Sequence, residues 1–279
     1  MPPSISTAVD ALRAIDEWGA PHAAAGVVRA DGVVATHGPR DLPVRWASVT
    51  KLLSGLAVLV AVEEGTVDLD EPAGPPGSTL RHLLAHASGL PTGTPPGRRR
   101  VYSNEAIEAA AQLVAERSGI LFADYFRAAV VEPLALRGSL EGSPASEYAG
   151  PLDDLLVLGR ELLAPRLVAA ETLVEATTVQ FPGLAGVLPG FGRQEPNDWG
   201  LAFELRDGKS PHWTGSRNSA RTFGHFGQTG TFLWVDPELG AACGVLTDKD
   251  FGEWAVAVWP PFNDAVIAAL TGHGLVSGS

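Results

Sequence analysis

The chain has 279 residues, long enough for one large domain or for two lobes. Its 45% apolar and 19% charged residues are the balance of a soluble globular protein, which excludes a disordered or fibrous chain. A formal charge of −12 argues against nucleic acid or an anionic membrane as a partner, because both reward basic patches.

A single cysteine, Cys243 in the apolar run "AACGVL", excludes an internal disulfide and fits a reducing compartment. The start, "MPPSISTAVDALRAIDEW", has no basic n-region, apolar h-region or small-residue cleavage site. The longest apolar run, Leu52 to Val62, is about half of what a bilayer span needs, so it is expected to be a buried helix. A cytoplasmic protein is expected. Composition leaves the oligomeric state open.

In chain order, a helix is expected near Ile5–Trp18, then the strands "AAGVVRA" and "GVVATHG" joined through Asp31-Gly32, a strong hairpin signal. The apolar helix follows from near Ser48. After the turn-rich "DLDEPAGPPGS", "TLRHLLAHASGL" reads as a helix closing at Gly89. Beyond the loop "PTGTPPGRRR", two helices are expected in "NEAIEAAAQLVAERSG", ended by Gly119, and "FADYFRAAVVEPL". Helical patterns continue in "PLDDLLVLGRELL" and "LVAAETLVEAT", and a Gly/Pro loop covers about 181–198. "WGLAFELRDG", "RTFGHFG", "GTFLWVDPELG" and "AACGVLTD" read as strands, and "FNDAVIAALTG" as a closing helix. Strands at both ends with helices between predict an α/β (α+β) fold. One antiparallel sheet would be built from both termini and flanked by helices, with an inserted helical lobe. The lobes would be roughly 1–52 plus 197–279 (α/β) and 53–196 (helical), forming one domain over 1–279.

Three short motifs carry chemistry. Of the 20 Lys and Arg, only Lys51, Lys209 and Lys249 are lysine. Lys51 stands in Ser48-Val49-Thr50-Lys51, where helical spacing puts hydroxyl and amine on one face. An apolar surround lowers an amine's proton affinity, so Lys51 can be a base for Ser48, which arginine cannot. The plainer reading is a capping serine and a snorkelling lysine. In Tyr102-Ser103-Asn104 the phenol can relay a proton when a cation lowers its pKa, and the amide can orient a lysine or a substrate carbonyl, or Asn104 can simply cap a helix. His225-Phe226-Gly227 reads as a strand edge that a substrate can approach. The backbone N–H of Gln228 can join that of Ser48 as an oxyanion hole.

In this order the motifs resemble the serine β-lactamase and penicillin-binding-protein superfamily, whose S-x-x-K signature is established. The likeness is greatest to the branch of class C β-lactamases, D-alanyl-D-alanine peptidases and esterases. "RHLLAHASGLP", "VYSNEAIEAAAQLVAERSG" and "GHFGQTGTFLWVDPE" extend it over about residues 24 to 250. The resemblance implies Ser48 as acylated nucleophile, with Lys51 and Tyr102 handling protons. Asn104 would contact the substrate ester or amide, and His225 and Gly227 would line the third wall, with Phe226 between them. Where that branch carries a hydroxyl in its third motif, this chain has Phe226. Small activated esters are therefore expected to be hydrolysed better than β-lactams, unless Arg98–Arg100 supply the missing carboxylate contact. The expected function is an esterase-like serine hydrolase acting through an acyl-enzyme on a small-molecule ester or amide, with weak β-lactamase activity. The alternatives are a β-lactamase or D-amino-acid peptidase proper, or a non-hydrolytic acyl-binding sensor.

No metal or cofactor is implied. His82 and His86 are spaced i, i+4 but lack a third zinc ligand, and "DLDE" at 68–71 lacks the rest of a calcium loop. "HWTG" at 212–215 mimics the third motif from within a Ser/Pro/Asn loop.

Overall fold

The computed structural model describes residues 5–272. Its centre is a six-stranded antiparallel sheet in the order Gly32–His37, Ala23–Arg29, Ala241–Thr247, Thr231–Asp236, Phe223–Gly227, Glu204–Leu205. The first and last parts of the chain thus meet side by side, as their strand patterns predict. Alternation assigns the faces. Ala25, Val27, Phe232, Trp234, Cys243 and Val245 face one way, against the terminal helices Ile5–Leu12 and Glu253–Thr271. Ala24, Val28, Leu233, Val235, Ala242 and Leu246 face the larger core, with the helices Thr50–Glu63, Asn104–Ser118 and Leu152–Leu163. Helix Leu152–Leu163 lies directly on the sheet, although it falls within the 53–196 expected of the helical lobe. Its approach leaves no room for a side chain at position 26, where a Cβ would stand 2.8 Å from Leu156 Cδ1.

Several elements differ from expectation for identifiable reasons. The helix in "TLRHLLAHASGL" spans only Leu80–Leu84, capped by Thr79, and the chain then turns away at His86 with φ +53°. Within the loop expected over 181–198, Gly186–Leu188 and Gly192–Gln194 pair as a hairpin too short to register as alternation. The closing helix begins well before Phe262, at Glu253, and runs through Pro260-Pro261. Each proline costs one helical hydrogen bond. Burial of Ala255, Trp259 and Phe262 against the sheet holds the helix continuous. In "FADYFRAAVVEPL", Phe122–Phe126 is α-helical and Arg127–Val131 widens into a π-turn. Among the described residues no helix is long and apolar enough to cross a membrane.

Candidate active site

Ser48 sits in a single 3₁₀ turn, Ala47–Val49, that runs straight into helix Thr50–Glu63. Ala47, just before it, has φ +46°, a conformation that costs a non-glycine residue energy and that surrounding contacts must enforce. Those contacts are visible. Trp46 donates its backbone N–H to Tyr148 O (2.9 Å) and its indole N–H to Gly150 O (3.0 Å). From the other side, Thr229 Oγ1 donates to Arg45 O (2.8 Å) and Thr231 Oγ1 to Trp46 O (2.9 Å). These two bonds clamp the turn after strand Phe223–Gly227 onto the nucleophile segment, and Ser48 and Gln228 line one cleft. A Cβ at Gly227 would meet Trp46 O at 2.5 Å. Gly227 therefore makes way for the protein's own backbone, where the sequence suggested an approaching substrate.

Lys51 follows one turn on and is fully buried. Its Nζ lies 3.2 Å from Ser48 Oγ, 2.6 Å from Asn104 Oδ1 and 2.8 Å from Ala145 O. Among the described residues it forms no ion pair. Desolvation lowers its pKa to about 7, while the more distant charges of Glu108 and Glu105 oppose the shift. Ser54, one turn further along the helix, donates to Pro144 O at 2.6 Å and so holds the loop that presents the Ala145 carbonyl. Asn104 is no cap. Ser103 caps the helix, accepting from Ala106 N–H at 3.0 Å, which frees the Asn104 amide for the lysine.

Tyr102 donates to Ser48 Oγ at 2.7 Å, and the Lys51 ammonium position lies 4.8 Å from its ring centre. The phenol is fixed among the rings of His86 (4.8 Å), Trp199 (5.7 Å) and His225 (5.7 Å). Burial raises its pKa, so it is a neutral hydroxyl, not the acidified phenol that the nearby cation suggested. The loop before it is pinned by Arg100. That buried guanidinium donates to the carbonyls of Ala85 (2.5 Å), Asn197 (3.1 Å), Gln180 (2.7 Å) and Phe181 (3.3 Å). Arg100 is thus committed to backbone, and Arg98 and Arg99 are exposed.

The cleft over Ser48 measures about 130 Å³ and is lined by Tyr102, Leu188, Trp199, Glu204, His225 and Phe226 as well as the turn at Gln228. His225 Nδ1 donates to Phe226 O at 2.6 Å. Desolvation, with Lys51 adding to it, lowers the imidazole pKa to about 3, so His225 is neutral. Phe226 points mainly to the other face of the strand, with its ring 5.0 Å from Phe251, 5.8 Å from Trp213 and 5.8 Å from Trp259.

The structure thus brings Ser48, Lys51, Tyr102, Asn104, His225, Gly227 and Gln228 together. Phe226 is shared between the cleft and the core. Sequence reasoning missed Ser54, Ala145, Trp199, Leu188 and Glu204. The residues of "HWTG" are not a third wall: His212 and Trp213 hydrogen-bond to Glu204 Oε2 at 3.0 and 2.9 Å. His82 stacks on Phe181 and bonds Thr79, whereas His86 packs on Tyr102 and Trp199, so the two rings serve separate environments.

Comparison with known proteins concerns the family and the fold. The Beta-lactamase family model matches residues 8–266. A solved beta-lactamase from Mycobacterium bovis is 52% identical, with TM-score 0.91 over 94% of this chain and 99% of that one. More distant folds include simvastatin synthase from Aspergillus terreus, at 17% identity and TM-score 0.75 over 96% and 97% of the two chains. Another is EstCE1, described as a hydrolase with promiscuous acyltransferase activity, at 17% identity and TM-score 0.73 over 97% and 98%. A search of curated proteins gave no match. With the family model spanning nearly the whole chain, this protein belongs to the beta-lactamase family.

Proposed function

We propose that this protein is a serine hydrolase that cleaves small, uncharged carboxylic esters, and more slowly amides, through an acyl-enzyme on Ser48. The observation that carries the reading is the surround of Lys51. A neutral amine has two N–H groups and one lone pair. Asn104 Oδ1 and Ala145 O accept the two N–H groups, which leaves the lone pair for Ser48 Oγ.

In the proposed reaction Ser48 Oγ bonds to the substrate carbonyl carbon while its proton passes to Lys51 Nζ. The oxyanion is received by the backbone N–H groups of Ser48 and Gln228. The carbon–oxygen bond to the leaving group then breaks, and the alcohol takes the proton from Lys51 by way of the Tyr102 hydroxyl. Water attacks the acyl-enzyme, Lys51 accepts its proton and returns it to Ser48, and the carboxylic acid departs. Every group used belongs to the chain, so no metal or cofactor enters the scheme. The charge of −12 and lone buried Cys243 support a cytoplasmic protein acting on small molecules, not on nucleic acid or membrane.

A second reading, β-lactam hydrolysis, draws on the likeness to the protein from M. bovis. It requires a partner for the β-lactam carboxylate. His225 is neutral, Phe226 has no donor, and Arg100 is spent on backbone carbonyls. A buried carboxylate short of one partner loses about 1–3 kcal/mol, or about one to two decades in kcat/KM. Labelling with a fluorophosphonate followed by peptide mass spectrometry should place the adduct on Ser48. Purified protein should then turn over p-nitrophenyl butyrate with higher kcat/KM than a cephalosporin. An adduct on Ser54 or Ser103 refutes the site, and equal or faster cephalosporin turnover refutes the substrate class.

A further inference from the structure

Leu188 ends the first strand of the hairpin Gly186–Leu188/Gly192–Gln194 and is only 1% exposed, whereas Val187 beside it is 55% exposed. Its side chain belongs both to the cleft lining and to the aromatic cluster of Phe191, Trp213 and Phe226. It therefore stands as the partition between the space over Ser48 and the core behind it.

That partition is held in place. Phe191, at the hairpin's tip, has its ring 6.1 Å from Phe226 and 6.3 Å from Phe251. Gln194 Nε2 donates to Phe191 O at 3.2 Å and to Pro211 O at 3.0 Å. At the hairpin's base, Arg100 donates its backbone N–H to Ala185 O at 2.9 Å. Three separate attachments make this a fixed wall.

The contents of the cleft follow from its size and lining. Its volume of about 130 Å³ is close to the roughly 150 Å³ of a cavity that holds benzene, so it has room for a short chain only. Leu188, Pro189, Trp199 and Phe226 give it apolar sides. Its one carboxylate, Glu204, has Oε1 bonded by Lys209 and Oε2 by His212 and Trp213, so its charge is matched within the wall and, among the described residues, the cleft holds no free cation for an anionic chain. A leaving group has to escape and water has to enter, so both need a path to solvent. The space bounded by Leu188 is left for the acyl chain, which stays attached between the two half-reactions.

Resting on the serine-hydrolase reading, we propose that this cleft is an acyl pocket for a short, uncharged, aliphatic chain, and that Leu188 sets the length accepted. One methylene in such a pocket is worth about 10–200-fold in kcat/KM, so the profile across a chain-length series should break sharply.

The test measures kcat/KM for p-nitrophenyl acetate, butyrate, hexanoate and octanoate with wild type, Leu188→Ala and Leu188→Phe. The common leaving group confines any change to the acyl side. Wild type should fall by about tenfold or more at one step of the series between butyrate and octanoate; Leu188→Ala should move that break to longer chains and Leu188→Phe to shorter ones. Two substitutions with opposite expected shifts separate the gate from a general loss of folding. An identical profile in all three proteins, with Ser48 still labelled by the fluorophosphonate, overturns the role of Leu188 and leaves the hydrolase reading standing. Failure of Ser48 to label in wild type overturns both.

Discussion

Two of the chain's three lysines are buried within the same neighbourhood, and they have been put to opposite uses. Lys51 is surrounded by a hydroxyl, an amide oxygen and a backbone carbonyl, none of them charged. Lys209 bonds the Glu204 carboxylate directly and also donates to Leu205 O and Asp198 O, at 2.6 Å each. Burial lowers both pKa values, but only at Lys209 does a contacting anion push back. Glu204 in turn is held down to about 2: desolvation would raise it, but Lys209 and His212 together outweigh that effect. Burial sets how much an ammonium costs, and the partner decides whether the amine becomes a base or a strut.

The largest effect expected from this contrast is in activity. Lys51→Arg retains a cation but cannot give up its proton, so kcat/KM for p-nitrophenyl butyrate should fall by about 10²–10⁴-fold. A folded Lys51→Arg protein with near wild-type turnover would show that Tyr102 alone does the proton work.

At Lys209 the expected effect is on stability. Glu204→Gln leaves a buried ammonium without its anion, which typically costs about 3–5 kcal/mol. Urea unfolding should register it. Replacing both partners, as Glu204→Gln with Lys209→Met, should recover a large part, because the uncompensated charge is then gone. If the single substitution is neutral, Lys209 is not charged in the folded protein and the contrast collapses.

Tyr102→Phe is milder than loss of the base, about 10²-fold at most in kcat, since the ring still packs on His86 and Trp199 while the hydroxyl on Ser48 is lost. Its KM for the ester should hardly move. A raised KM with kcat unchanged would make the phenol a substrate-binding group instead.

What could be seen in the sequence follows the same division between local and distant partners. Asp31-Gly32 made its hairpin and Gly119 ended its helix because turn chemistry is local. Ser48 and Lys51 were legible because three residues along a helix is one face. The carbonyl of Ala145 was not, because any residue has one and only the chain path delivers it to Lys51. Glu204, Lys209 and His212 lie close in sequence, yet their pairing depends on a loop folding back beneath the cleft, with no periodicity to announce it. Phe226 was legible as a departure, but its core packing was not. For that reason Phe226→Thr would open a cavity among Trp213, Phe251 and Trp259 before it restored any hydroxyl function.

The finest separation of the two lysines is in how stability depends on pH. A lysine whose folded pKa is lowered to about 7 binds its proton more readily in the unfolded chain between roughly pH 7 and its ordinary 10.5. Over that window the unfolded state holds more protons, so the free energy of unfolding rises with pH, by at most about 1.4 kcal/mol per unit for one group. Below pH 7 both states carry the charge and the slope vanishes. Lys51→Met removes the group from both states, so the difference between wild type and Lys51→Met should climb in favour of wild type from pH 7 to pH 9. The difference matters more than either curve. The buried Cys243 thiol, whose pKa is raised, drives stability the other way as its unfolded counterpart ionises, and it cancels between the two proteins. Lys209 cancels as well. Parallel stability curves for wild type and Lys51→Met across pH 7–9 would mean that Lys51 stays protonated in the folded protein, and would remove the base from the proposed reaction.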